Sequence, residues 1–211
     1  MHPAPIRNSV PVMGNVVADL ADKAVAERHD AYASEIRALL DATLRVMRRD
    51  DTIDPKVADI VRESGLSNQA FYRHFDGKDA LLVAVLADGR ERLAGTIQRR
   101  IARAGTDRDA RIRAWIAAVL DQARDPGAAA ATRPFVAHAD RLANEFPGEV
   151  ARSREQIEAP LAAVVGADDA HAVYHLTMGV VHEALGQRRA PTRREADAVT
   201  EFAIRGCAAH G

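Results

Sequence analysis

The sequence predicts an all-α fold, and three observations carry that prediction. Apolar residues recur three, four or seven positions apart over most of the chain. Glycine and proline fall mostly between those periodic stretches. No β-branched alternation of strand type appears. At 211 residues, 47% of them hydrophobic and 28% charged, the chain can form one large or two small domains with a sizeable core.

The elements follow in order. Residues 1–14 hold three prolines and few aliphatics and read as a mobile tail. Residues 15–33 have helical composition, with Val17, Leu20 and Ala24 spaced for one face. They form an extra helix or extend the next one. A helix over about 34–49 carries the stripe Ile36, Leu39, Leu40, Thr43, Leu44 and Met47. Asp54 is then a fitting N-cap, with Pro55 at the first helical position, for a short helix bearing Val57, Ile60 and Val61. Ser64-Gly65-Leu66 makes a turn in which Gly65 can take positive φ. Ser67 caps a second short helix, Asn68 to about Phe75, whose Ala70, Phe71 and Phe75 face the first. This is the pattern of a helix-turn-helix, whose second helix can enter a DNA major groove.

A long helix over about 78–104 follows, with Leu82, Leu86, Leu93, Ile97 and Ile101 on one face; Gly105 and Thr106 end it and cap the next. The helix over about 107–124 turns Ile112, Ile116, Val119, Leu120 and Ala123 inward, with Trp115 at the edge. Asp125-Pro126-Gly127 breaks the pattern before a helix over about 134–146 with Phe135, His138, Leu142 and Phe146 in one stripe. Pro147-Gly148 ends it, and a further helix runs to about Val165, with a kink expected at Pro160. Residues 169–187 carry two apolar stripes, Val173, Leu176, Val180, Ala184 and Tyr174, Met178, Val181, Leu185, so this helix must be covered on more than one side. Thr192 caps a last helix to about Ala209.

One segment resembles a known family. Gly65-Leu66-Ser67, Phe71-Tyr72-Arg73-His74-Phe75 and Lys78-Asp79-Ala80-Leu81-Leu82 resemble the turn, recognition helix and following helix start of TetR-family transcriptional repressors. Leu39-Leu40-Asp41-Ala42-Thr43-Leu44-Arg45-Val46-Met47 is similar to that family's first helix. The chain departs from the pattern at Asp51, where a glycine is usual, and at Lys56, where a threonine or serine is common. The resemblance implies a DNA-binding head over 34–80, a ligand-binding and dimerisation body over 81–211 and an N-terminal extension over 1–33. It also implies a homodimer joined through the last two helices, with Val173, Leu176, Gly179, Val180, Val199, Phe202 and Ala203 expected at the interface.

The expected DNA contacts are Lys56, Ser67, Asn68, Gln69, Tyr72, Arg73, His74 and Lys78. An Asn or Gln amide on the first turn of a recognition helix can pair with an adenine edge. Ser67 is better suited to plain capping than to base contact, and Tyr72 can pack its ring while offering its hydroxyl. Tyr72 and His74 fall where the family contacts phosphate. Lys78 begins a helix, where its charge and the helix dipole both favour phosphate. Net charge gives no support: the chain is at −1, and residues 34–80 hold eight Lys/Arg against nine Asp/Glu. Placement carries the reading, since a small reader needs only a local positive footprint.

Trp115, Phe135, His138, Leu142, Tyr174, Met178 and His182 are the expected lining of a cavity for a largely apolar small molecule. His171, His175 and His182, beside Glu183, invite a metal, but no HExxH pattern and no cysteine partner accompany them, so no metal and no cofactor are expected. No nucleophile elbow, phosphate loop or CxxC is present, which argues against an enzyme. Cys207 alone permits no internal disulfide and fits a reducing compartment. No apolar run reaches the ~18–20 residues of a membrane span, and the N-terminus does not read as a secretory signal, so a cytoplasmic location away from membranes is expected. The expected function is a dimeric regulator, a repressor of a pseudo-palindromic double-stranded DNA operator released by its effector. The alternative is a helical small-molecule carrier without regulatory DNA binding.

Overall fold

A computed structural model describes residues 14–208, and within them every regular element is an α-helix. Most of the tail expected at 1–14, and Ala209 at the end of the last helix, lie outside those residues. The chain divides into two compact units between Ala38 and Leu39. The first unit's described part is the opening of α1 (Gly14–Asp50), so residues 15–33 extend the first helix rather than form a separate one. Its Val16, Val17, Leu20 and Val25 are exposed.

The second unit contains everything from Leu39 onward. The end of α1 buries Leu39, Leu40, Ala42, Thr43, Val46 and Met47, close to the expected stripe, while Leu44 stays half-buried. Asp51 has φ 49°. The Thr52 amide donates to Met47 O at 3.1 Å, the bond of a Schellman cap. Asp51 thus adopts the left-handed conformation that a glycine would supply.

The helix α2 (Val57–Ser64) starts later than expected: Lys56, not Asp54, is its N-cap residue, and no side chain caps it. Asp54 is instead paired with Lys78, which removes it from the capping position. Gly65 ends α2 at φ 72°, as the turn requires. In α3 (Asn68–His74), Ser67 Oγ accepts the Ala70 amide at 3.1 Å. Ile60, Ala70, Phe71 and Phe75 are buried between these two helices and their neighbours.

The helices α4 (Lys78–Arg103) and α5 (Arg108–Arg124) pack together. Asp107, not Thr106, caps α5 by accepting the Ala110 amide at 2.6 Å. The stretch expected to be one helix from about 134 is two: α6 (Pro126–Ala137) and α7 (Ala139–Glu145), broken at His138 with φ −121°, ψ 27°. The residues read as a breaker begin α6, because Asp125 accepts the Ala128 amide and Pro126 takes the first helical position, where a missing N–H is harmless. The chain continues through α8 (Pro147–Val165), one element despite Pro160, then α9 (Ala167–Gly186) and α10 (Arg193–Ala208). Thr192 and Glu195 form a reciprocal capping box: Thr192 Oγ1 accepts the Glu195 amide at 3.2 Å, and Glu195 Oε2 accepts the Thr192 amide at 2.7 Å.

The main core joins α4, α5, α6, α8, α9 and α10. Trp115, expected at an edge, is wholly buried there, and its Nε1 donates to Ile157 O of α8 at 2.9 Å. A smaller cluster of Met47, Ile53, Leu82 and Leu142, flanked by Leu86, Phe135 and Phe146, links the residues before α2 to α4, α6 and α7.

Candidate nucleic-acid interface and effector cavity

The helix-turn-helix presents polar groups on one short helix. Ser67 is engaged as the cap, so its hydroxyl already has a partner. Asn68 and Gln69, on the first turn of α3, are exposed, as is Arg73. Tyr72 is 60% exposed while its ring meets the buried Phe71 edge-on, 5.1 Å between centroids. Packing holds the ring and leaves the hydroxyl end outward, so Tyr72 can serve both roles. His74 is half-buried at the end of α3, and Lys56 is exposed at the start of α2. Lys78 is not a waiting cation: its Nζ pairs with Asp54 Oδ1, and that bond holds the Asp54 carboxyl below its usual pKa. A phosphate at Lys78 must exchange with that carboxylate.

A cavity of about 680 Å³ lies among α1, α4, α6, α8 and α9. Five of the seven expected residues line it: Phe135, Leu142, Tyr174, Met178 and His182. Trp115 and His138 do not; Trp115 is committed to the core by its bond to Ile157 O, and His138 sits at the α6–α7 break. Sequence periodicity missed the α1 and α4 walls, Leu44, Arg45, Val85, Leu86, Arg90 and Leu93. Helical spacing identifies an inward face but not whether that face meets solid packing or a void.

Charge enters the cavity wall through a withdrawn ion pair. Arg90 Nη1 stands 3.2 Å from Glu149 Oε2, with side chains 8% and 15% exposed. Bonds from Arg152 and then Arg90 hold the Glu149 carboxyl below its usual range. Arg90 Nε is buried and has no hydrogen-bond partner among the described residues. His182 lies at the rim, where desolvation by its neighbours lowers its pKa and favours the neutral ring. Desolvation first, and the Glu158 charge second, raise the pKa of Tyr174.

The residues expected at a dimer interface separate into two sets. Val173, Val199 and Ala203 are buried in this chain's own core. Leu176, Gly179 and Phe202 are exposed, Phe202 at 63%, and Val180 is half-buried. The outward set, from α9 and α10, is the part available to a second subunit.

Residues 39–85 match the family model described as bacterial regulatory proteins, tetR family. No curated protein matches the chain in sequence. Among solved structures, a candidate transcriptional regulator from Streptomyces coelicolor A3(2) superposes with TM-score 0.67 at 17% identity, over 80% of this chain and 98% of that one. A TetR transcription regulator from Haloarcula marismortui gives 0.62 at 19%, over 84% and 98%. A TetR family transcription regulator from Marinobacter aquaeolei VT8 gives 0.62 at 18%, over 84% and 96%. At these identities the structures establish a shared fold.

Proposed function

We propose that this chain, a tetR-family DNA-binding transcription regulator by its residues 39–85, is a dimeric repressor released from a pseudo-palindromic operator by a small molecule. The observation that carries the reading is a shared wall. Leu86, Phe135 and Leu142 line the cavity, and the same three side chains belong to the cluster that packs Met47 and Ile53. Met47 lies in the last turn of the helix leading into the helix-turn-helix, and Leu82 of the same cluster lies one turn into α4. An occupant that displaces the shared side chains therefore acts on the residues that position α2 and α3.

The physical requirement on a dimer is spacing. Two recognition helices read one operator only when their separation matches about 34–36 Å or a multiple of it. A ligand that prefers a body with misplaced heads lowers DNA affinity, and DNA lowers ligand affinity by the same factor. Asn68 and Gln69 are the proposed base readers, with Lys56, Tyr72, Arg73, His74 and Lys78 on the backbone. Dimerisation uses Leu176, Gly179, Val180 and Phe202. The effector is largely apolar, with an acceptor group at the Arg90 end of the cavity. Such a regulator works in the cytoplasm, where its DNA is, and catalyses no reaction.

The test is direct. Purified protein should shift a fragment from its own upstream region at moderate salt, and the double variant Asn68→Ala/Gln69→Ala should lose selectivity for it. Met178→Ala, in the cavity wall but outside the shared cluster, should keep DNA binding and change the response to effector. Ligand binding with no DNA shift would replace the regulator by the carrier reading.

A further inference from the structure

One side-chain group lies outside both the DNA face and the cavity. His171 and His175, one turn apart on α9, meet Glu158 of α8. His171 Nδ1 stands 3.2 Å from Glu158 Oε1, and the two imidazole rings are 4.4 Å apart between centroids at 77°. One ligand atom from each of the three residues lies within 4.8 Å of the others. Both histidines are exposed, while the Glu158 side chain is only 16% exposed. The helices beneath are fixed by Ile157 and Leu161 of α8 and Ala170 and Val173 of α9, all buried in the main core.

The spacing suits a shared ion. Two ligands at ~2.0–2.1 Å from a tetrahedral centre stand about 3.3 Å apart, which the Glu158–His171 pair already meets. Only His175 has to close in, by a side-chain rotation at an exposed position. Histidine pairs at i, i+4 are a known way to share a metal, and they lacked a third ligand in the sequence. The fold supplies it from another helix, 13 residues earlier than His171. His182 and Glu183, near in sequence, are not part of the group. Arg154 brings a cation near the carboxylate, 3.9 Å from the same oxygen, on a side chain 47% exposed that can swing away.

We propose that Glu158, His171 and His175 bind one divalent transition-metal ion, best matched by zinc, with a fourth position open. Two imidazoles and a carboxylate suit zinc and its first-row neighbours, not the all-oxygen preference of magnesium or calcium. The ion would clamp α8 to α9 from outside. Tyr174, whose ring meets that of His175 at 5.2 Å and 89°, lines the cavity on the other side. A metal clamp here is thus a second input to the same helix pair, and its binding does not depend on the repressor reading.

The probe is zinc alone, titrated into chelator-stripped full-length protein against a chromophoric competitor, with the zinc-induced rise in Tm as a second readout. One ion per chain is expected. His171→Ala, His175→Ala and the isosteric Glu158→Gln should each weaken it at least about 10–100-fold, no less than loss of an outer-sphere partner costs, and abolish the Tm rise. Glu183→Gln and His29→Ala should change neither. Circular dichroism separates failure to fold from failure to bind. Absence of saturable binding, unchanged affinity in Glu158→Gln, equal weakening in the two controls, or one ion per two chains would each overturn the site.

Discussion

The head and the body place their polar groups in opposite directions. In the helix-turn-helix, Asn68, Gln69, Tyr72 and Arg73 face outward over a small solid core of Ile60, Ala70, Phe71 and Phe75. In the body, Arg90 and Glu149 are drawn inward to the wall of a cavity. Under the proposed function the head's partner stays outside it, so burying apolar side chains fully costs it nothing in function. The body leaves about 680 Å³ without packing, which forfeits dispersion attraction and is offset by a dense layer behind it. The difference teaches where rigidity is needed: along the proposed DNA face in one region, and behind the cavity in the other.

The largest effect should come from that backing layer. Trp115→Ala removes a fully buried ring and should cost about 3–5 kcal/mol in chemical denaturation. It also removes the indole N–H that Ile157 O, at the cavity wall, accepts. Trp115→Phe keeps most of the volume and should lose only about 0.5–1.5 kcal/mol, the net worth of one hydrogen bond. If both variants unfold like the parent, the layer does not support the cavity and the contrast between regions fails.

Next are the residues proposed to contact DNA, whose replacement should move binding and leave stability nearly untouched. Replacing Gln69 or Asn68 by Ala should change preference among operators by about 1–3 kcal/mol for each base edge no longer read. Lys78→Ala should weaken all sequences alike and lower the salt slope by about one. The Lys78–Asp54 pair adds a sharper expectation: Asp54→Asn frees the lysine and removes a negative charge, so DNA affinity should rise, most at low salt. Equal operator affinities across these variants would show that α3 is not the reading helix.

Legibility in the sequence divides along the same line. The head's signals are local: Ser67 three residues before Ala70, Gly65 in a turn, apolar residues at fixed spacing. Each reappears as a cap, a positive φ or a buried side chain. The body's decisive facts are distant in sequence. Trp115 bonds Ile157, 42 residues away, and Arg90 pairs with Glu149, 59 residues away. Periodicity could therefore place Trp115 on a helix yet misjudge it as an edge. The α6–α7 break at His138 was also hidden, because the stripe Phe135, His138, Leu142 and Phe146 keeps helical spacing across it. Asp125-Pro126-Gly127 read as a stop when the aspartate and proline are a start, since both residue types serve either purpose.

A smaller effect concerns how the body's last helix is pinned. The Glu195 carboxyl is held down to about 2 by Arg189 first and then by the Thr192 amide and hydroxyl. A depressed carboxylate stabilises the fold fully above its unfolded value, near 4.5, and loses that contribution as pH falls towards about 2. Glu195→Gln should flatten the acid limb of stability between those values and leave DNA affinity unchanged at neutral pH. An unchanged acid limb would mean that the capping box is not formed in solution. The same substitution in a head cap is unavailable, because Ser67 does not titrate.

The smallest effect tests an ion pair between two helix ends. Asp51 and Arg188, both at positive φ, end α1 and α9 with Schellman bonds, and their side chains meet at 2.7 Å. Asp51→Gly removes a left-handed conformation that costs an L-residue about 1–2 kcal/mol. Against it stand about 0.4–1 kcal/mol for the greater freedom of an unfolded glycine and about 0.2–1 kcal/mol for an exposed ion pair. The first term and the sum of the others nearly cancel, so stability at low salt should change by less than about 1 kcal/mol. Salt decides the sign. Screening removes only the ion-pair term, so the glycine variant should gain on the parent as salt rises, measured by paired denaturation curves. A difference independent of salt would leave Arg188 without a role, and the departure from glycine at Asp51 would then rest on backbone conformation alone.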